Sequence, residues 1–139
     1  MKNQRHRRRS AQSGAVFVEF ALGFLLFLVL VLAVFEGGRL VWAFTTLSHA
    51  TRQGVRYAIV HGARNPVADT EIETRVKNQA VGLPDASVTV STVWEDAAKT
   101  GGSVVRVSAS YPVDFVASPL IFGQDSLNLN VTARGTVAE

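Results

Sequence analysis

Glu19 is the side chain in this sequence that most needs a chemical account, because it is the only charged residue between positions 15 and 35. Placing a charge deep in hydrocarbon costs about 2.5–3.5 kcal/mol on insertion scales, so such groups are usually paired and functional. Two uses suit this carboxylate. Near the end of an apolar run it can reach toward lipid headgroups, although short Glu does so less easily than Lys or Arg. Alternatively, it holds a nearby ammonium group, which removes the cost of leaving a carboxylate unpaired in an apolar medium.

The element that must position Glu19 is the apolar stretch itself. At about 1.5 Å of rise per residue, a helix over residues 15–35 covers roughly 30 Å, the thickness of a bilayer's hydrocarbon core. Lys2, Arg5, Arg7, Arg8 and Arg9 precede it with no acid among them. That asymmetry keeps the N-terminus in the cytoplasm and sends the remainder across. A removable signal peptide is the competing reading. Its apolar core is shorter and ends at a small-x-small site, whereas this run continues to Phe35 and ends in Glu36, Gly37, Gly38 and Arg39.

The junction Gly14-Ala15-Val16-Phe17-Val18-Glu19-Phe20 resembles the leader of type IV prepilins. The resemblance implies that prepilin peptidase cuts between Gly14 and Ala15 on the cytoplasmic side, leaving Glu19 as the fifth mature residue. A free α-amino group has a pKa of about 7.7–8.0 and is largely protonated at neutral pH. Positions one and five share a helix face, but the resemblance implies the intermolecular choice, in which Glu19 recruits the N-terminus of a neighbouring subunit.

The chain has 139 residues, no cysteine and a formal net charge of +3. Its size suits an anchor plus one small domain. Removing the first fourteen residues leaves nine basic against eleven acidic side chains, so the overall basicity belongs to the leader. Membrane orientation explains that cluster better than phosphate binding does, and no nucleic acid is expected as a partner. Thiolate metal sites are excluded. His6, His49 and His61 lack close ligand spacing.

Beyond the span, two adjacent glycines each weaken a helix by about 1 kcal/mol relative to alanine, so Gly37 and Gly38 are a weak point at which the spine can either bend or continue straight. Trp42 and Phe44 suit either an interfacial anchor or packing on the domain. Over residues 40–59 the apolar and small side chains Leu40, Ala43, Leu47, Ala50, Gly54, Val55, Ala58 and Ile59 recur at spacings of three and four, with His49, Arg52, Gln53 and Arg56 on the other side. This describes an amphipathic helical spine continuing outward.

Glu36-Gly37-Gly38-Arg39, followed by Ala50-Thr51-Arg52-Gln53-Gly54-Val55-Arg56-Tyr57-Ala58, is similar to the TadE-like family, minor pilin-like proteins of the tight-adherence (Flp, type IVb) pilus machinery. The residues carrying the likeness are Glu36, Gly38, Arg39, Arg52, Gly54, Arg56 and Tyr57, and it covers roughly the first half of the chain. Gly37 stands where the family usually has an aromatic, Gln53 replaces Glu, and Phe20 follows Glu19 where Tyr is frequent.

Asn65 and Pro66 are expected to end the spine. Thr70 with Glu73 reads as a capping box opening a short helix over residues 71–81, its buried face formed by Ile72, Val76 and Ala80 and its stop by Gly82. The second half alternates in twos. Val88, Val90, Thr92 and Trp94 line one strand face, Val105, Val107, Ala109 and Tyr111 a second, and Leu127, Leu129, Val131 and Ala133 a third. This predicts an antiparallel sheet with one buried face. Residues 96–102 form the first hairpin loop. Phe115, Leu120, Ile121 and Phe122 close the core, a partner-binding patch being the alternative.

No nucleophile elbow, Walker loop or dinucleotide fingerprint is present. Asp69, Glu71 and Glu73 fit a solvated helix start better than a calcium site. The expected fold is thus α+β, divided into a leader (1–14), a membrane helix (15–35), a spine (36–64) and a short helix with a small sheet (65–139). The resemblance implies a non-enzymatic pseudopilin without cofactors in the bacterial inner membrane, its C-terminal domain outside. Lipid, prepilin peptidase, other pilin subunits and the pilus assembly platform are the implied partners. A tethered extracytoplasmic binding or sensing module that is never cut is the alternative.

Overall fold

The computed structural model describes residues 4–62, 67–96, 101–115, 123 and 125–137, with side chains from residue 14 onward. Helix α1 runs Gln4–Gly62 and helix α2 Asp69–Gln79; a single 3-10 turn, Asp85–Ser87, leads into strands β1 (Thr89–Trp94), β2 (Val104–Asp114) and β3 (Ser126–Thr136). The chain divides into two units, Met1–Gly37 and Gly38–Glu139. Gly37 and Gly38 are both helical, and no atom outside the helix lies near either.

The second unit is built on the two predicted periodicities. Its sheet has the order β1-β2-β3, every neighbour antiparallel. Thr89 pairs with Ser110 and Trp94 with Val105 across the first ladder, while Val104 pairs with Thr136 and Asp114 with Ser126 across the second. Val105, Val107, Ala109 and Val113 of β2 are buried and Tyr111 is half-buried. Leu47, Ala50 and Ala58 of α1, with Ile72 and Val76 of α2, are completely excluded from solvent and join the same core. At about 25 cal/mol per Å² of apolar surface, each buried Leu or Ile contributes roughly 1.5–3 kcal/mol relative to exposure.

The anticipated face of α1 is the buried one, with Leu40 and Ile59 half-buried at its margin and Arg52 and Arg56 exposed opposite. Ser48 and Thr51 are buried as well. Thr51 is tolerated because its hydroxyl donates to the Leu47 carbonyl at 2.7 Å, one turn back, which pairs its own polar atom inside the core.

Two glycines mark close approaches. Gly54 is buried where α2 crosses α1, and a Cβ there would collide with the Val76 side chain. Gly82, at φ +82°, turns the chain after α2, and a Cβ would meet the Trp42 ring edge at 2.8 Å. Trp42 therefore packs on the domain.

The capping box is corrected. The residue at the N-cap is Ala68, in an extended conformation and without a side-chain cap; α2 begins at Asp69, so Thr70 lies inside the first turn. The backbone does the capping, as the N–H groups of Glu71 and Ile72 donate to the Ala68 carbonyl at 3.0 and 3.4 Å. Ile72, Val76 and Ala80 are buried as anticipated. Asn65, Pro66, Leu120, Ile121 and Phe122 lie outside the described residues, as does part of the 96–102 loop.

Candidate functional site

In the first unit the candidate site is the surface of α1 itself. From Val16 to Phe35, fourteen large apolar side chains are exposed, among them Phe17 at 72%, Leu26 at 63% and Phe35 at 71%. Returning that many Val, Leu and Phe side chains to an apolar surrounding is worth on the order of 20–40 kcal/mol. A contiguous patch of this size marks a membrane or protein interface. Among the described residues, one helix is long and apolar enough to cross a membrane, and none of its apolar window is buried.

A helix pairs the backbone N–H and C=O groups within the segment itself, as a single segment crossing hydrocarbon must do. Phe20 and Phe24 stack with ring centroids 6.1 Å apart, and Phe24 lies 6.5 Å from Phe27, so aromatic rings follow one flank at spacings of four and three. Glu19 is exposed on this surface, adjacent in sequence to Phe20. Gly14 and Ala15 are helical and exposed, and the space beside Gly14 is open. Glu36 is half-buried near the end of this unit.

In the second unit, Gly38 is exposed and Arg39 reaches the backbone carbonyl of Asp114, at 3.5 Å. Gly54 sits at the helix crossing, whereas Arg52 and Arg56 project outward. Tyr57 is half-buried between two partners: the Arg75 guanidinium lies over its ring, 5.9 Å from the centroid, and the His61 ring packs against it at a 33° tilt, the centroids 4.2 Å apart. The Tyr57 carbonyl accepts a hydrogen bond from His61 Nδ1–H at 3.0 Å. The motif residues thus separate into a structural glycine, a tether to β2 and an exposed cationic and aromatic face.

Sequence reasoning missed Arg75 as a companion of Tyr57 and Gly135 as a contact glycine. A Cβ on Gly135 would meet Ile59 and, at 2.9 Å, the Val55 side chain, so α1 presses directly on β3. A glycine inside an alternating strand signals such an approach. Among the described residues, no group of three or more His, Asp or Glu side chains is placed to hold a metal ion.

Residues 14–56 match the family model described as TadE-like protein. The match spans the exposed apolar helix, Glu19 and the first part of the spine, and it ends before α2 and the sheet. No curated protein and no solved structure matches the chain.

Proposed function

We propose that this chain, TadE-like over residues 14–56, is a pseudopilin of a tight-adherence (Flp, type IVb) pilus system, cut by prepilin peptidase between Gly14 and Ala15 and helping to assemble or initiate an adhesive pilus. The family match supports involvement in Tad pilus systems. The observation that carries the finer reading is the exposed apolar helix with Glu19 as its one acid between residues 15 and 35, placed five residues beyond Gly14.

In this reading the protein is a single-pass component of the bacterial inner membrane, its N-terminus cytoplasmic and its sheet outside. The basic leader sets the orientation and is then discarded. A glycine in the helix lowers the cost of opening the backbone for the peptidase by about 1 kcal/mol. The exposed phenylalanine flank packs against other pilin helices through close contact in lipid, and Glu19 pairs with a neighbour's new α-amino group. The role is structural rather than enzymatic.

The test is the N-terminal mass of the membrane-extracted protein, expressed with and without a prepilin peptidase. A chain beginning at Ala15 only when the peptidase is present is the expected result. Glu19→Ala should then be processed normally yet fail to support piliation. An intact Met1 end in both strains would favour an uncut tethered module, and loss of the whole apolar stretch a secreted domain.

A further inference from the structure

The Tyr57 face of the second unit has features that neither core packing nor the span requires. Gln53, Arg56, Tyr57, Val60, His61 and Arg75 border a shallow groove of about 350 Å³, none of them acidic, while Glu71 lines the adjoining hollow beyond Tyr57 and Arg75. Arg52, one turn before Arg56, extends the same cationic side, and Arg52, Arg56 and Arg75 are all exposed. None of the three forms an ion pair among the described residues, although Lys77 pairs with Glu73 at 2.7 Å and Arg106 with Glu95 at 3.4 Å.

Exposed arginines are ordinarily no more than a solvated face. Here one of them has an aromatic neighbour, because Arg75 is laid over Tyr57 and Tyr57 packs against His61. A guanidinium fixed by an aromatic face keeps donors free for a carboxylate and loses less rotamer freedom on binding. The concentration of positive charge also runs against the chain beyond residue 14, in which acids outnumber bases. Charge complementarity therefore selects an anionic occupant, and a groove this shallow and open suits an extended chain better than an enclosed small molecule.

We infer that the groove between Arg56 and Arg75 docks an acidic peptide segment of a partner protein, its carboxylates held by the two guanidinium groups and its backbone lying across Tyr57. The docking surface belongs wholly to the second unit and is independent of leader cleavage and of Glu19, so it stands or falls apart from the pilus reading.

The experiment uses the full chain in non-ionic detergent and measures fluorescence anisotropy of labelled penta-glutamate and penta-glutamine peptides. Penta-glutamate should bind and penta-glutamine should not, with binding weakening as salt rises from about 0.05 to 0.5 M. Arg56→Ala and Arg75→Ala should each weaken it by about tenfold, the scale of one lost charge-assisted contact, while Arg106→Ala leaves it unchanged. The pair Arg56→Glu and Arg75→Glu should reverse preference toward penta-lysine, which guards against reading misfolding as lost binding. Equal binding of the two peptides, arginine variants that bind like the parent, or stronger displacement by short-chain phosphatidylglycerol than by unlabelled penta-glutamate would each overturn the inference, the last assigning the groove to lipid headgroups.

Discussion

Helix α1 contains two apolar stretches that meet opposite fates. In the first unit, Val16, Phe17, Leu26 and Phe35 lie exposed at 58–75%, the range also covering Val18 and Val34. In the second, Leu47, Ala50 and Ala58 are completely buried. Apolar content alone does not separate them. Residues 15–35 are apolar on every side of the helix, so no single domain face can cover them, whereas residues 40–59 concentrate their apolar side chains on one face and leave Arg52 and Arg56 outside. The first pattern asks for an apolar solvent; the second asks for a sheet and a second helix, which the same chain supplies.

The largest effect that can break this comparison is a charge placed in the first stretch. Leu26→Arg with Leu30→Arg adds about 5–7 kcal/mol to membrane insertion, from about 2.5–3.5 kcal/mol per arginine at a helix centre. Most of the protein should then be released by alkaline extraction of membranes, while the parent remains embedded. If the double variant resists extraction as well as the parent does, contact with lipid is not what retains this surface.

A smaller effect separates two glycines that the family likeness treats as one motif. Gly54 is filled from outside by Val76, whereas Gly38 has open space around it. Gly54→Ala should cost the folded domain about 1–3 kcal/mol by overpacking, and Val76→Ala in the same chain should recover part of the loss because the two side chains share one contact. Gly38→Ala should instead stabilise the helix by about 0.5–1 kcal/mol. Thermal unfolding in detergent reads all three variants, and a common sign for Gly38→Ala and Gly54→Ala would show that the spine is one structural context rather than two.

Much of this architecture was legible because periodicity is local. The face from Leu40 to Ile59 and the alternating positions from Val88 to Ala133 could be read directly, since a helix or strand must repeat its buried residues at fixed intervals; Leu127, expected on the inward face but 40% exposed near the start of β3, is the exception. The function of Gly54 was not, because it depends on Val76, twenty-two residues onward and in another element. The same holds for Arg75 over Tyr57 and for Trp42 against Gly82. Buried Thr51 escaped for a different reason: its hydroxyl is satisfied by its own helix, so it behaves as a small apolar residue despite its polarity. In the candidate site, the exposed helix and Glu19 were evident from composition, while the cationic groove exists only where α1 and α2 meet.

The smallest effect concerns the start of α2, where a sequence signature and the observed backbone differ by two residues. Were Thr70 the cap, Thr70→Ala would cost about 1 kcal/mol. With Thr70 inside the first turn and exposed, the substitution should change stability by less than about 0.5 kcal/mol, because alanine is the better helix former and no cap is lost. The gain lies at Ala68 instead, whose φ of −66° and ψ of 139° already match the extended N-cap geometry. Ala68→Ser would place a hydroxyl three residues before Glu71, completing a reciprocal cap and stabilising the domain by about 0.5–1 kcal/mol. Thermal midpoints of the two variants therefore discriminate: a loss at Thr70 with no gain at Ala68 would move the start of α2 to the position that the Thr70–Glu73 spacing suggests, and the opposite result fixes it at Asp69.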